Sequence, residues 1–171
     1  MEGRTVEHSA LTMTQIMLPE HGGKGGYAHG GEIMKIMDMA AGIVGMRHSH
    51  TDLVTARVEG INFYRPVRVG DLITVNAYIT FVGRSTIEVR LDVFKEDILK
   101  EKKEHALNAY FIMVALDSEG KPTEVPPLIL STDRERELWE QGKHRYQTCK
   151  GQIMSEDSRY KVCREEQIIF D

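Results

Sequence analysis

Residues 33–46 read Ile-Met-Lys-Ile-Met-Asp-Met-Ala-Ala-Gly-Ile-Val-Gly-Met, and no second amphipathic helix of similar length follows until the charged stretch after residue 132. Apolar residues recur at Ile33, Met37, Ala41 and Val44, the spacing of one helical face. A lone apolar helix must bury that face against something else, and its small residues (Ala41, Gly42, Gly45) suit close approach to a flat surface. The chain between its helical stretches therefore has to supply a sheet.

The extended segments meet this demand. Residues 11–18 alternate imperfectly and stop at Pro19, as a first or edge strand would. Residues 53–64 are rich in β-branched and aromatic side chains. Ile73, Val75, Ala77, Ile79 and Phe81 alternate with polar residues and Tyr78, and Ile87, Val89, Leu91 and Val93 alternate with Glu88, Arg90 and Asp92. Gly83-Arg84 marks the turn between these two strands. Residues 105–116 are apolar on both faces, so that strand should be central or covered by another protomer. A strand, one central helix and four antiparallel strands wrapped round it give an α+β architecture. The expected division is a domain over residues 8–127 and a C-terminal helical extension with tail over 128–171. Residues 132–150 predict an exposed, weakly docked helix with Leu138, Trp139 and Tyr146 as sparse anchors; the residues after Gly151 read as disordered.

Charge and cysteine usage narrow the function. The net charge of −4 gives no general electrostatic case for nucleic acid, no apolar run reaches membrane-spanning length, and the first ten residues lack the pattern of a secretory signal, so the expected address is the cytoplasm. Cys149 and Cys163 fit neither a disulfide framework nor a multi-ligand metal site. His48 and His50, two residues apart, cannot face one another on a helix, and His21 and His29 add no matching carboxylate spacing, so no metal is expected. His48 reads as a helix C-terminal cation or a packing residue. The absence of GxGxxG, GxxxxGK[ST] and GxSxG removes dinucleotide, P-loop and serine-elbow chemistries.

Asp38 is the anomaly in the apolar helix. Two readings stand: a solvent-facing residue on one stripe with Lys35, or a carboxylate held among apolar and small residues (Met34, Ala41, Gly42, Gly45) for chemistry. A carboxylate can take a proton from attacking water, provided that fixed donors meet the oxyanion that develops. The six glycines of residues 21–31 end in Gly30-Gly31, whose amides at the positive end of the helix dipole are the candidate donors.

With these residues on the page, the chain resembles the acyl-CoA thioesterases of the hot-dog superfamily, in the cytosolic acyl-CoA hydrolase group. The matching stretches are Met17-Leu18-Pro19, His29-Gly30-Gly31, residues 33–38, Arg47-His48-Ser49, Val54-Thr55-Ala56-Arg57-Val58-Glu59, Phe63, Arg65-Pro66-Val67, Gly70-Asp71, residues 83–89, Gly120-Lys121-Pro122 and Val125-Pro126. Together they span about residues 10–127. The resemblance implies the hot-dog fold and a hydrolase that releases coenzyme A and a carboxylic acid, with Asp38 as general base or nucleophile. It places His29, Val54, Thr55, Arg65, Gly83, Arg84, Ser85 and Thr86 around the substrate. Arg68, Lys143 and Arg145 are further cations for the phosphates. It also implies a homodimer, assembled further as a trimer of dimers, and no cofactor, coenzyme A being part of the substrate. One departure stands out: related enzymes carry an asparagine early in the glycine loop, facing the aspartate of the partner, where this chain has Gly23.

Two other functions stay open at this level, a non-catalytic acyl-CoA-binding protein and a hot-dog hydratase or dehydratase. A hydratase would pair an Asp with a His, and the nearest candidates, Asp38 and His48, stand about three helical turns apart.

Overall fold

The helix expected over residues 33–46 runs from Gly30 to Ser49, because the two glycines enter its first turn and His50 closes it in the left-handed conformation (φ 58°) with its N–H on the Met46 carbonyl. The computed structural model describes residues 1–155, with side chains through Thr148. In chain order the elements are β1 (Arg4–Thr5), α1 (Val6–Ser9), β2 (Leu11–Ile16), α2 (Gly30–Ser49), β3 (Asp52–Phe63), β4 (Leu72–Val82), β5 (Thr86–Asp97), β6 (Lys102–Leu116), β7 (Leu128–Ile129) and α3 (Asp133–Ser155).

The sheet is antiparallel in the order β2-β4-β5-β6-β3, so β2 and β3 are its edges and the apolar β6 is flanked on both sides. One face wraps α2. Ile33, Ile36, Met37, Ala40, Ala41 and Val44 of the helix meet Ile73, Val75, Ala77 and Ile79 of β4, Ile87, Val89, Leu91 and Val93 of β5, and Leu107, Ala109, Phe111 and Met113 of β6 in one core. This is the hot-dog arrangement of a sheet around a single helix. The period-two pattern breaks at several register shifts, and the one between Ile79 and Phe81 sets Phe81 opposite Glu88 on the outer face, not in line with Ile79.

Three short elements, β1, α1 and β7, escape sequence patterning because two to four residues carry no measurable period. β1 pairs in parallel with β7, and Arg4 at its start donates to the Arg47 carbonyl (3.1 Å) and to the His48 carbonyl. A guanidinium thus sits on the negative end of α2.

The C-terminal helix docks more firmly than its charged sequence suggests. On the outer face of the sheet, Phe81 packs against Trp139 (centroids 5.5 Å apart) and Tyr146 (5.4 Å). Glu88, only 4% exposed, accepts two hydrogen bonds from Arg145 (2.7 and 3.0 Å) and one from Thr80 (2.6 Å). Arg145 also lies 3.9 Å over the Tyr110 ring. Gly142 makes this approach possible, since a Cβ there would lie 2.6 Å from Phe81 and 2.8 Å from Glu88 Oε1. The helix continues past Gly151 to Ser155; the rest of the tail expected to be disordered, with Cys163, lies outside the described residues.

Removing Arg145 strands a buried carboxylate. Arg145→Ala is expected to lower stability by about 3 kcal/mol, read as a fall in urea midpoint. The double replacement Glu88→Leu/Arg145→Met, which leaves no orphaned charge, is expected to cost less than Arg145→Ala alone.

Candidate functional site

Asp38 is exposed, on a flank of α2 that also carries Lys35, Met39 and Met46. Met34, Gly42 and Gly45 share its side of the helix at four- and seven-residue spacing, and they leave the carboxylate uncovered. The residue faces outward with Lys35, and it is engaged from a neighbouring strand. Thr55, on edge strand β3, donates its hydroxyl to Asp38 Oδ1 at 2.5 Å. Such a charge-assisted bond holds the carboxylate in one orientation and leaves Oδ2 to accept a proton.

The amides of Gly30 and Gly31 belong to the first turn of α2, where no intrahelical acceptor exists. Gly30 lines a cleft of about 280 Å³ with Tyr27, Ala28, Ile33 and residues 63–67. Phe63 (54% exposed) and Tyr64 (47%) stand at this cleft. Sequence reading did not single them out as site residues; the available signal was Phe63's place among the residues that carry the resemblance, and only folding brings the pair beside the glycine loop. Arg65 lies at the same cleft, with its side chain 60% exposed and 3.9 Å from Glu104. Between these amides and Asp38 lie seven to eight residues of one helix, roughly 10–12 Å at 1.5 Å per residue. Asp38 and the amides of one chain therefore cannot grip the same carbonyl.

Val54, Gly83, Arg84, Ser85 and Thr86 lie away from this cleft. Thr86 of β5 and Val54 of β3 both pair with Val114 of β6, which puts them two strands apart, roughly 10 Å. Ser85 is buried, and its carbonyl accepts from the Ala115 N–H; the Thr86 hydroxyl is buried without a partner among the described residues. Gly83 and Arg84 line a second, larger cleft of about 540 Å³ toward α3, where Arg84 pairs with Glu124 at 3.1 Å. Arg68 lies over the Tyr27 ring. The other two cations proposed from sequence are committed elsewhere, Arg145 to Glu88 and Lys143 to the Trp139 ring at 4.9 Å.

His48 is wholly buried, and its Nε2–H donates to the Pro126 carbonyl at 2.9 Å. Burial, reinforced by the charge of Arg4, holds its pKa below the ordinary value of 6.5. It is a neutral packing residue and not a helix-terminal cation. Among the described residues no three His, Cys, Asp or Glu side chains converge to hold a metal ion.

The thioesterase superfamily profile matches residues 25–102. The cytosolic acyl coenzyme A thioester hydrolase of Rattus norvegicus is 37% identical over 147 residues, covering 85% of this chain and 39% of the rat protein. The chain thus spans about two fifths of that relative's length. An uncharacterized acyl-CoA thioester hydrolase of Bacillus subtilis is 32% identical over 134 residues, with 78% of each protein covered. A structure of the Staphylococcus aureus acyl-CoA hydrolase with butyryl coenzyme A, coenzyme A and coenzyme A disulfide superposes with a TM-score of 0.81 at 26% identity, covering 89% of this chain and 93% of that one. The same enzyme is known as alanine variants of an asparagine, an aspartate and a threonine, the asparagine fifteen residues before the aspartate and the threonine seventeen after it. The chain belongs to the thioesterase superfamily.

The buried His48 makes stability depend on pH. Its folded-state pKa is depressed, so its contribution is present above pH 6.5 and is lost as pH falls through the lowered value. Thermal unfolding is expected at progressively lower temperature from pH 7 to pH 5, and His48→Gln is expected to flatten that slope.

Proposed function

We propose that this protein hydrolyses acyl-CoA thioesters with Asp38 as general base. The observation that carries this reading is the Thr55–Asp38 hydrogen bond, because the spacing of the two residues, seventeen, equals that between the aspartate and threonine replaced in the S. aureus hydrolase. Asp38 takes a proton from water while the water oxygen bonds to the thioester carbonyl carbon. The resulting oxyanion is met by amide N–H groups at a helix start. Collapse breaks the C–S bond, and the proton held by Asp38 passes to the sulfur, which leaves a carboxylic acid and the coenzyme A thiol. No cofactor enters this reaction.

Helix geometry supports a site shared between subunits. Because Asp38 and the amides of its own helix are roughly 10–12 Å apart, we assign the oxyanion donors to Gly30 and Gly31 of the partner subunit, in a homodimer that covers the exposed flank of α2 and the free edge of β3. The uncovered Met39 and Met46 and the unpaired strand edge support this arrangement. A trimer of dimers would be built from the same unit. The clefts beside Gly30 and beside Gly83 are assigned to the acyl-pantetheine and the nucleotide of coenzyme A. The cytosolic relative and the lack, among the described residues, of any helix long and apolar enough to cross a membrane support a cytoplasmic site of action.

A hydratase reading is disfavoured by His48, whose Nε2 is spent on Pro126 inside the core. A binding-only reading is separated by turnover. Free-thiol release from a panel of acyl-CoAs is expected for wild type, with kcat cut by roughly 10³-fold in Asp38→Asn and by roughly tenfold in Thr55→Val. Retained turnover in Asp38→Asn would sink the mechanism, and no release from any member of the panel would leave the binding role. Light scattering is expected to give a dimer mass or a multiple of it; a monomer would exclude the shared site.

A further inference from the structure

We infer that His29 supplies the polar group that Gly23 lacks, donating an N–H hydrogen bond to the thioester carbonyl oxygen beside the amides of Gly30 and Gly31. This deepens the hydrolase reading and rests on it. The S. aureus hydrolase has its asparagine fifteen residues before its aspartate, and the equivalent position here is Gly23.

Gly23 is not a glycine for backbone reasons, since its φ lies outside the left-handed region. The reason lies in its neighbour. A Cβ at Gly23 would stand 2.6 Å from His29 Cε1 and 3.0 Å from Nε2, so the imidazole occupies the space into which a side chain at 23 would project. The loop holds the two residues together: the Gly23 N–H donates to the Tyr27 carbonyl (2.9 Å), and the His29 N–H donates to the His21 carbonyl (2.9 Å).

His29 is also placed for the chemistry. It is the N-cap of α2, yet its side chain makes no capping bond. The side chain is exposed, and neither ring nitrogen has a hydrogen-bond partner among the described residues. An unspent donor therefore stands one residue before the amides assigned to the oxyanion. In this role His29 gives up no proton. The water proton travels through Asp38 of the partner subunit to the leaving sulfur, while His29 only stabilises the charge that builds on oxygen.

The test compares His29→Phe, His29→Asn and Asp38→Asn dimers by free-thiol release, with dimer mass and far-ultraviolet circular dichroism recorded for each. Phe still covers Gly23 but carries no donor, and kcat is expected to fall roughly 10²-fold with KM little changed. Asn restores a donor and should recover most of that loss. In a His29→Ala background, which vacates the space, Gly23→Asn should regain roughly tenfold. Wild-type kcat in a correctly assembled His29→Phe dimer overturns the role of His29 and leaves Asp38 standing. Wild-type kcat in Asp38→Asn overturns both.

Discussion

Everything in this structure depends on one face of α2 being buried in the curve of the sheet. Met37, Ala40, Ala41 and Val44 have no exposure, and each large apolar side chain enclosed there contributes about 2 kcal/mol. Small residues at 40 and 41 let the helix sit close to the strands. That same commitment leaves the opposite flank outside, and Asp38 is on it.

On the proposed mechanism, the exposed flank leaves each chain with half of a site. Thr55 orients Asp38 from an edge strand, and the helix that carries Asp38 also carries the first-turn amides, two helical turns away. A helix is rigid over that length, so no local adjustment unites them in one chain. In the proposed two-fold dimer each helix start would meet the carboxylate of the other chain, and the edge of β3 and the exposed methionines would be covered by the same contact.

Charged residues that read as surface decoration prove to hold the fold together. Glu88, Thr80 and Arg145 form a closed set of hydrogen bonds under α3, and Phe81 joins them only because a bulge turns it outward. The strength of the α3 contact was not legible, because Arg145 and Glu88 are 57 residues apart and neither has a local pattern. The position of β6 between two strands was legible, since its outer face is as apolar as its inner one.

The order of the long strands and α2, the edge character of β2 and the buried face of α2 were set by the sequence alone, because side-chain periods of two and of about three and a half are local properties. Gly30 and Gly31 could likewise be named as helix-start amides from neighbouring residues. Only the tertiary structure decided that Asp38 faces outward toward Thr55, that Arg145 belongs to Glu88, and that His29 lies over Gly23. Those are contacts between segments brought together by folding, and no one-dimensional spacing encodes their distance.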